Sequence, residues 1–119
     1  MGIFNLGQPM KKITVAFDVD GTLIDSDGNT NWRITELLRI LAHFKNIEII
    51  VWSGGGKDYA EMIVRKLGLD NYVKRCADKN HLGKVDGKHQ FNPDFKPDIA
   101  IDDIQDCELG VINLIVREK

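Results

Sequence analysis

The sequence predicts an α/β fold: a three-layer, Rossmann-like arrangement with a mainly parallel, roughly five-stranded sheet, helices on both faces and no cap domain. Three observations predict it. Short β-branched runs alternate with helical patterns, the first two runs end in polar, turn-prone residues, and the second run is apolar at consecutive positions, as in a strand covered on both sides. A parallel connection has to cross over the sheet, which is what the intervening helices supply.

The first strand spans residues 13–17 and runs into Asp18-Val19-Asp20-Gly21. Ile34, Leu37, Leu38 and Leu41 then recur at i, i+3, i+4 and i+7, one apolar stripe on a helix that Asn31 is placed to cap. The second strand, 47–52, ends in Ser53-Gly54-Gly55-Gly56. Tyr59, Met62, Ile63 and Leu67 define a second helix, and Gly68 falls where a left-handed C-terminal residue is favoured. Residues 72–76, 98–101 and 111–116 supply strands three, four and five. Residues 78–97 carry neither period and read as loop with one irregular helix, while 103–110 is long enough only for a helix of two turns.

At 119 residues and 13.5 kDa the chain has room for one domain, expected over 12–119, with 1–11 a poorly ordered extension. A hydrophobic share of 43% and a charged share of 29% exclude a disordered acidic tail, a collagen-like repeat and a disulfide-dense miniprotein. A formal charge of -2 gives no global attraction to nucleic acid or an anionic membrane. Cys76 and Cys107 have no close metal-ligand spacing and read as reduced thiols, which favours the cytoplasm. The first residues lack a basic region before an apolar run, Leu6 replaces the Ser or Thr of a myristoylation signal, and no apolar stretch reaches the roughly 20 residues of a membrane span. The expectation is a cytoplasmic protein without a membrane partner.

Ligands of such sheets collect at the carboxyl ends of the strands. Mapped there, strand one offers Asp18 and Asp20, strand two Ser53, and strand four Asp102 and Asp103. Four converging carboxylates repel unless a cation neutralises them, and hard oxygen ligands without Cys or His point to Mg²⁺. The bland alternative is a solvated acidic rim. The Ser53 hydroxyl and the backbone N–H groups of Ser53-Gly54-Gly55-Gly56, ahead of a helix, suit a phosphate, although the run fits neither the phosphate-loop nor the dinucleotide pattern. By itself it reads as a plain flexible connection before it reads as a phosphate site. A lysine on this rim would balance phosphoryl charge. Lys79 is best placed and Lys84 second, while Lys96 precedes strand four and falls at the wrong end. His43, His81 and His89 show no metal-binding spacing. Residues 74–96 hold six Lys/Arg against three Asp, with Phe91 and Phe95 interleaved, either a solvated loop or a track for a polynucleotide backbone.

Together these motifs resemble the haloacid dehalogenase superfamily of phosphohydrolases over most of residues 12–117. Asp18-Val19-Asp20-Gly21-Thr22-Leu23 after an apolar strand is similar to its first motif, Ser53 after Ile49-Ile50-Val51-Trp52 to its second, and Ile101-Asp102-Asp103-Ile104-Gln105-Asp106 to its fourth. For the third, a lysine, Lys79 and Lys84 both stand open. The resemblance implies a small capless Mg²⁺-dependent phosphatase acting on phosphomonoesters through an aspartyl-phosphate. It implies Asp18 as nucleophile, Asp20 as acid and then base, and Lys79, Ser53 and Gly54 on the phosphoryl oxygens. The ion would be held by the Asp18 carboxylate, the Asp20 backbone carbonyl and Asp102, with Asp103 and Asp106 acting partly through waters.

Residues 22–31 resemble the flap that follows the first motif, too short for a cap. The implied open site suits a phosphorylated small molecule or a macromolecular phosphate, or closure by a second copy in a homo-oligomer. Three other readings compete. A polynucleotide 3′-phosphatase would use the basic 74–96 segment, including Lys84 and Lys88. A binding module would keep the fold without turnover. A phosphorylation-dependent receiver domain has the same residue types, but its acidic pair ends strand one and its acceptor ends strand three, unlike the order here.

Overall fold

The computed structural model describes residues 11–105 and 107–117, so all but the last residue of the extension expected at 1–11, and the acidic residue Asp106, lie outside the described residues. In chain order the elements are β1 (Ile13–Asp18), α1 (Trp32–Ala42), β2 (Ile47–Ser53), α2 (Lys57–Lys66), β3 (Arg75–Asp78), β4 (His81–Val85), β5 (Lys88–Phe91), β6 (Ile99–Asp102) and β7 (Ile112–Ile115). Five strands form one sheet in the order β3-β2-β1-β6-β7, each neighbouring pair parallel. β4 and β5 form a separate antiparallel hairpin. The α/β class and the five-stranded parallel sheet agree with the sequence.

Strand alternation divides the core in two. Val15, Phe17, Ile49, Val51 and Ile101 meet Leu38 of α1 and Ala60, Ile63 and Val64 of α2. Ala16, Ile50, Trp52 and Ala100 pack instead with Phe91, Phe95, Cys107 and Leu109. Both described helices therefore pack with one set of strand residues, and the hairpin and the segments after it cover the other. This departs from the expectation of helices on both faces. The β6–β7 connection is too short for a crossover helix, and none forms among the described residues of 103–111.

Local deviations have local causes. Asn31 occupies the N-cap of α1, but its side chain makes no cap bond; its backbone N–H instead donates to the Leu23 carbonyl at 2.8 Å, tying the helix to the loop after β1. In α2 the buried stripe is Ala60, Ile63 and Val64, and Met62 is largely exposed. Gly68 has the expected positive φ, 69°. The third strand begins three residues later than predicted, because Tyr72 and Val73 are turn residues whose N–H groups donate to the Leu69 carbonyl while their side chains pack on the core.

The 78–97 segment holds no helix. Asp86 (φ 52°) and Gly87 (φ 78°) are both left-handed, which is the two-residue turn that matches strand twist in a hairpin. Cys76 and Cys107 are half-buried thiols, and the Cys107 Sγ donates to the His89 carbonyl at 2.9 Å. Among the described residues, no helix is long and apolar enough to cross a membrane.

Candidate functional site

The sheet order reverses at β1: β2 and β3 lie on one side of it, β6 and β7 on the other. Such a switch point opens a crevice at the carboxyl ends of the strands. Phe17 pairs with Ile101, so one step further along both strands Asp18 and Asp102 come side by side. Asp103 follows at the solvent edge. Carboxylate oxygens of Asp18, Asp102 and Asp103 lie within 4.8 Å of one another.

Lys79 is the first residue beyond β3, and its backbone N–H donates to the Ser53 carbonyl at 3.0 Å. Lys79 as a whole residue is 1% exposed, and its Nζ donates to Asp18 Oδ1 at 2.6 Å and Asp102 Oδ2 at 2.5 Å. Lys84 stands exposed on the hairpin, out along β4. The geometry thus separates the two lysines: Lys79 joins the acidic cluster and Lys84 does not. The later start of β3 is what brings residue 79 to the rim.

The remaining donors fix the carboxylates. Thr22 Oγ1 donates to Asp18 Oδ2 at 3.3 Å, and the Ile104 N–H to Asp102 Oδ1 at 3.1 Å. Gly21 has φ 83°, and a Cβ there would fall on the Asp103 carboxylate, so both backbone conformation and space call for glycine. Asp20 is exposed and apart from the carboxylate cluster; its Oδ1 accepts the Tyr59 hydroxyl proton at 2.7 Å. Ser53 is buried, and its Oγ accepts the Gly55 N–H at 2.9 Å, which shapes the glycine turn.

Burial, together with the neighbouring Asp102, pushes the Asp18 carboxyl up to about 8 although Lys79 pulls it down. Burial alone would lower Lys79, but Asp18 and Asp102 outweigh it and hold the ammonium above its ordinary range. Desolvation, then its contact with Asp102, raises Asp103. Burial and the bond to Asp20 push the Tyr59 hydroxyl up to about 12. When all three carboxyls are ionised, they leave two negative charges in excess around the one ammonium. A hard divalent cation matches that excess and those oxygen donors.

A cleft of about 240 Å³ opens over the cluster, lined by Asp18, Asp20, Ser53, Gly54, Lys79 and Asp103 on the sheet side and by His81, His89 and Phe91 of the hairpin opposite. Of the site residues predicted from sequence, Asp18, Asp20, Ser53, Gly54, Lys79 and Asp103 line it directly, Asp102 is buried and bonded to Lys79, Lys84 does not line it, and Asp106 lies outside the described residues. The 22–31 flap does not line it. That loop is pinned by buried Leu23, and the Asp25 carboxylate accepts the N–H groups of Asp27 and Asn29.

Four contributors escaped the sequence reading. Thr22 was legible within the first motif. Tyr59 fits the apolar stripe of its helix, and its place in the first turn of a helix starting at the rim is the signal of its second role. His81 and His89 lack metal-ligand spacing, and the Asp86-Gly87 turn that brings them together is the cue for their pairing.

No curated protein and no solved structure matches the chain. Residues 2–96 match a protein family, a stretch that takes in Asp18, Asp20, Ser53 and Lys79 and stops short of Asp102 and Asp103. Since the match spans well over half of the chain, this protein belongs to the family described as "Protein of unknown function (DUF705)".

Proposed function

We propose that the protein is a Mg²⁺-dependent phosphohydrolase of the haloacid dehalogenase type that cleaves phosphomonoesters through an aspartyl-phosphate. The observation that carries this reading is the buried Lys79 ammonium held between Asp18 and Asp102, with Asp103 beside them and Ser53 and Gly54 lining the same side of the cleft. In the three-layer form of this fold, α1 and α2 make one outer layer and the hairpin with the segments after it makes the other.

Asp18, Asp102 and Asp103 would hold the ion, which when bound neutralises their excess charge and polarises phosphoryl oxygens. The chain's own residues do the rest. The Ser53 hydroxyl, the Gly54 N–H and the Lys79 ammonium orient the phosphoryl group and offset its charge. Asp18 attacks phosphorus as the ester bond breaks, forming the acyl phosphate. Asp20, steered by Tyr59, protonates the departing oxygen and then takes a proton from the water that hydrolyses the intermediate. Thr22 keeps the second Asp18 oxygen in place.

The test is hydrolysis of p-nitrophenyl phosphate with Mg²⁺. Turnover is expected in the wild type and lost with chelator or in Asp18→Asn. Melting curves give a second readout. Asp18→Asn removes one of the crowded acidic groups that a cation would neutralise, so without Mg²⁺ it should melt above wild type, and Mg²⁺ should stabilise it less than wild type. Absence of turnover on a broad phosphate panel, with both proteins folded, overturns the phosphatase and leaves the binding module. The polynucleotide variant of the reading gains nothing from the hairpin register: Lys84 pairs with His89 and Lys88 with Val85, so the two lysines project from opposite faces instead of forming one basic stripe.

A further inference from the structure

The geometry points to the β4–β5 hairpin as a leaving-group subsite that accepts a planar aromatic ring carried directly on the ester oxygen. This rests on the phosphatase reading and adds the class of ester it would prefer. Register places the rings: His81 pairs with Phe91 and Lys84 with His89, so His81, His89 and Phe91 share one face. Their centroids lie 4.9 Å (His81–Phe91), 5.0 Å (His81–His89) and 6.0 Å (His89–Phe91) apart, and the two imidazoles are joined through Nε2 of His81 and Nδ1 of His89 at 3.0 Å.

Rings on a hairpin can serve only to hold its strands together. Here the same three side chains also line the cleft that contains Asp18, Ser53 and Lys79. The cluster abuts Lys79 and Gly54, two of the residues proposed to hold the phosphoryl group. Lys79 Nζ is 5.2 Å from the Phe91 ring centroid, and a Cβ on Gly54 would be 3.5 Å from both His81 Cβ and the Phe91 ring.

Adjacency selects the ester. A ring bonded to the ester oxygen lies next to the phosphoryl group and therefore against this wall. A nucleobase is held away by its sugar, towards the exposed Lys84. The wall is also anchored: the Asn92 N–H donates to the Asn80 carbonyl at 3.0 Å, and the Asn80 side-chain amide to the Asn92 carbonyl at 3.0 Å, closing the hairpin base beside Lys79. In the reaction the Asp18–phosphorus bond forms as the bond from phosphorus to the aryl oxygen breaks, and that oxygen takes its proton from Asp20 while the ring stays stacked on the wall.

Aryl oxides leave more readily than alkoxides, so rates alone do not measure the wall. Phosphonates separate recognition from leaving ability. Calorimetric titration of the Mg²⁺-loaded protein should show phenylphosphonate binding about tenfold tighter than methylphosphonate, the size of one good ring contact. That ratio should fall to about twofold in His89→Ala and in His81→Gln, the second of which removes the ring but keeps a polar side chain, with circular dichroism showing that each is folded.

Equal binding of the two phosphonates by the wild type, or an unchanged ratio in both folded variants, overturns the subsite alone. A nucleoside monophosphate that binds tighter than phenylphosphonate and weakens in Lys84→Ala overturns it in favour of a nucleotide. Failure of both phosphonates to bind, with no ester turned over, removes the phosphatase reading along with it.

Discussion

Two lysine–carboxylate pairs of the same length, 2.6 Å, stand at opposite ends of the sheet. At the amino end Lys12 meets Glu48 with its side chain 64% exposed; at the carboxyl end Lys79 meets Asp18 with 2% exposed. Distance is therefore no guide to what either pair does. Water screens the first, so the contact chiefly lowers the Glu48 carboxyl through its hydrogen bond to Lys12. The second is desolvated, shared with Asp102 and left with surplus negative charge. Nearby, Asp98 shows how the amino end handles a carboxylate: one oxygen takes both the backbone N–H and the hydroxyl of Thr14, at 2.8 and 3.2 Å. That end meets its charges with simple local partners, whereas the carboxyl end keeps an imbalance whose sign and oxygen donors match a cation.

The sharpest way to break this contrast is Lys79→Met. It leaves two buried carboxylates facing each other, so denaturant unfolding should show a loss of about 3–5 kcal/mol in the absence of divalent cation, and hydrolysis should vanish. An unchanged stability would mean that the ion pair is solvated like the one at the other end. Next in size, Gly21→Ala forces a side chain into a left-handed position already occupied by the Asp103 carboxylate, and should lower stability by about 1–3 kcal/mol while weakening Mg²⁺ binding in a titration. Lys12→Ala should change stability by less than about 1 kcal/mol, and by less still in high salt.

The smallest effect is a control between the two ends. Burial pushes the Cys76 thiol up to about 11, so in the folded protein it should alkylate far more slowly at pH 8 than a free thiol, with full reactivity on unfolding. The sign follows from a folded pKa raised above 9. The unfolded chain releases the proton first, so the contribution of Cys76 to stability is intact below about pH 9 and declines as pH climbs towards 11.

How much of this was legible in the sequence depended on which elements had a buried face. β1, β2, β6 and both helices were readable because sheet and helix burial imposes a period, and Asp18, Ser53 and Asp102 followed because polar residues closing an apolar strand fall on one rim. The hairpin has no such period: β4 is exposed at four of its five positions, leaving Asp86-Gly87 as the only local sign. β3 was misplaced because Tyr72 and Val73 are apolar for a turn that packs on the core, while the edge strand itself reads Arg75-Cys76-Ala77-Asp78. That shift is also why Lys84 stayed open as the second choice behind Lys79. The helix expected after Asp103 failed on length, and without it the far side of the sheet is closed by Phe91, Phe95 and Leu109 instead.

The paired Asn80–Asn92 bonds at the base of the hairpin have a kinetic corollary. A single residue lies between Lys79 and His81, so the wall cannot swing outward without dragging the buried ammonium from its two carboxylates. In the proposed reaction, entry and exit would then need no gating motion, and turnover should show no viscosity-sensitive opening step beyond simple diffusion of the reactants.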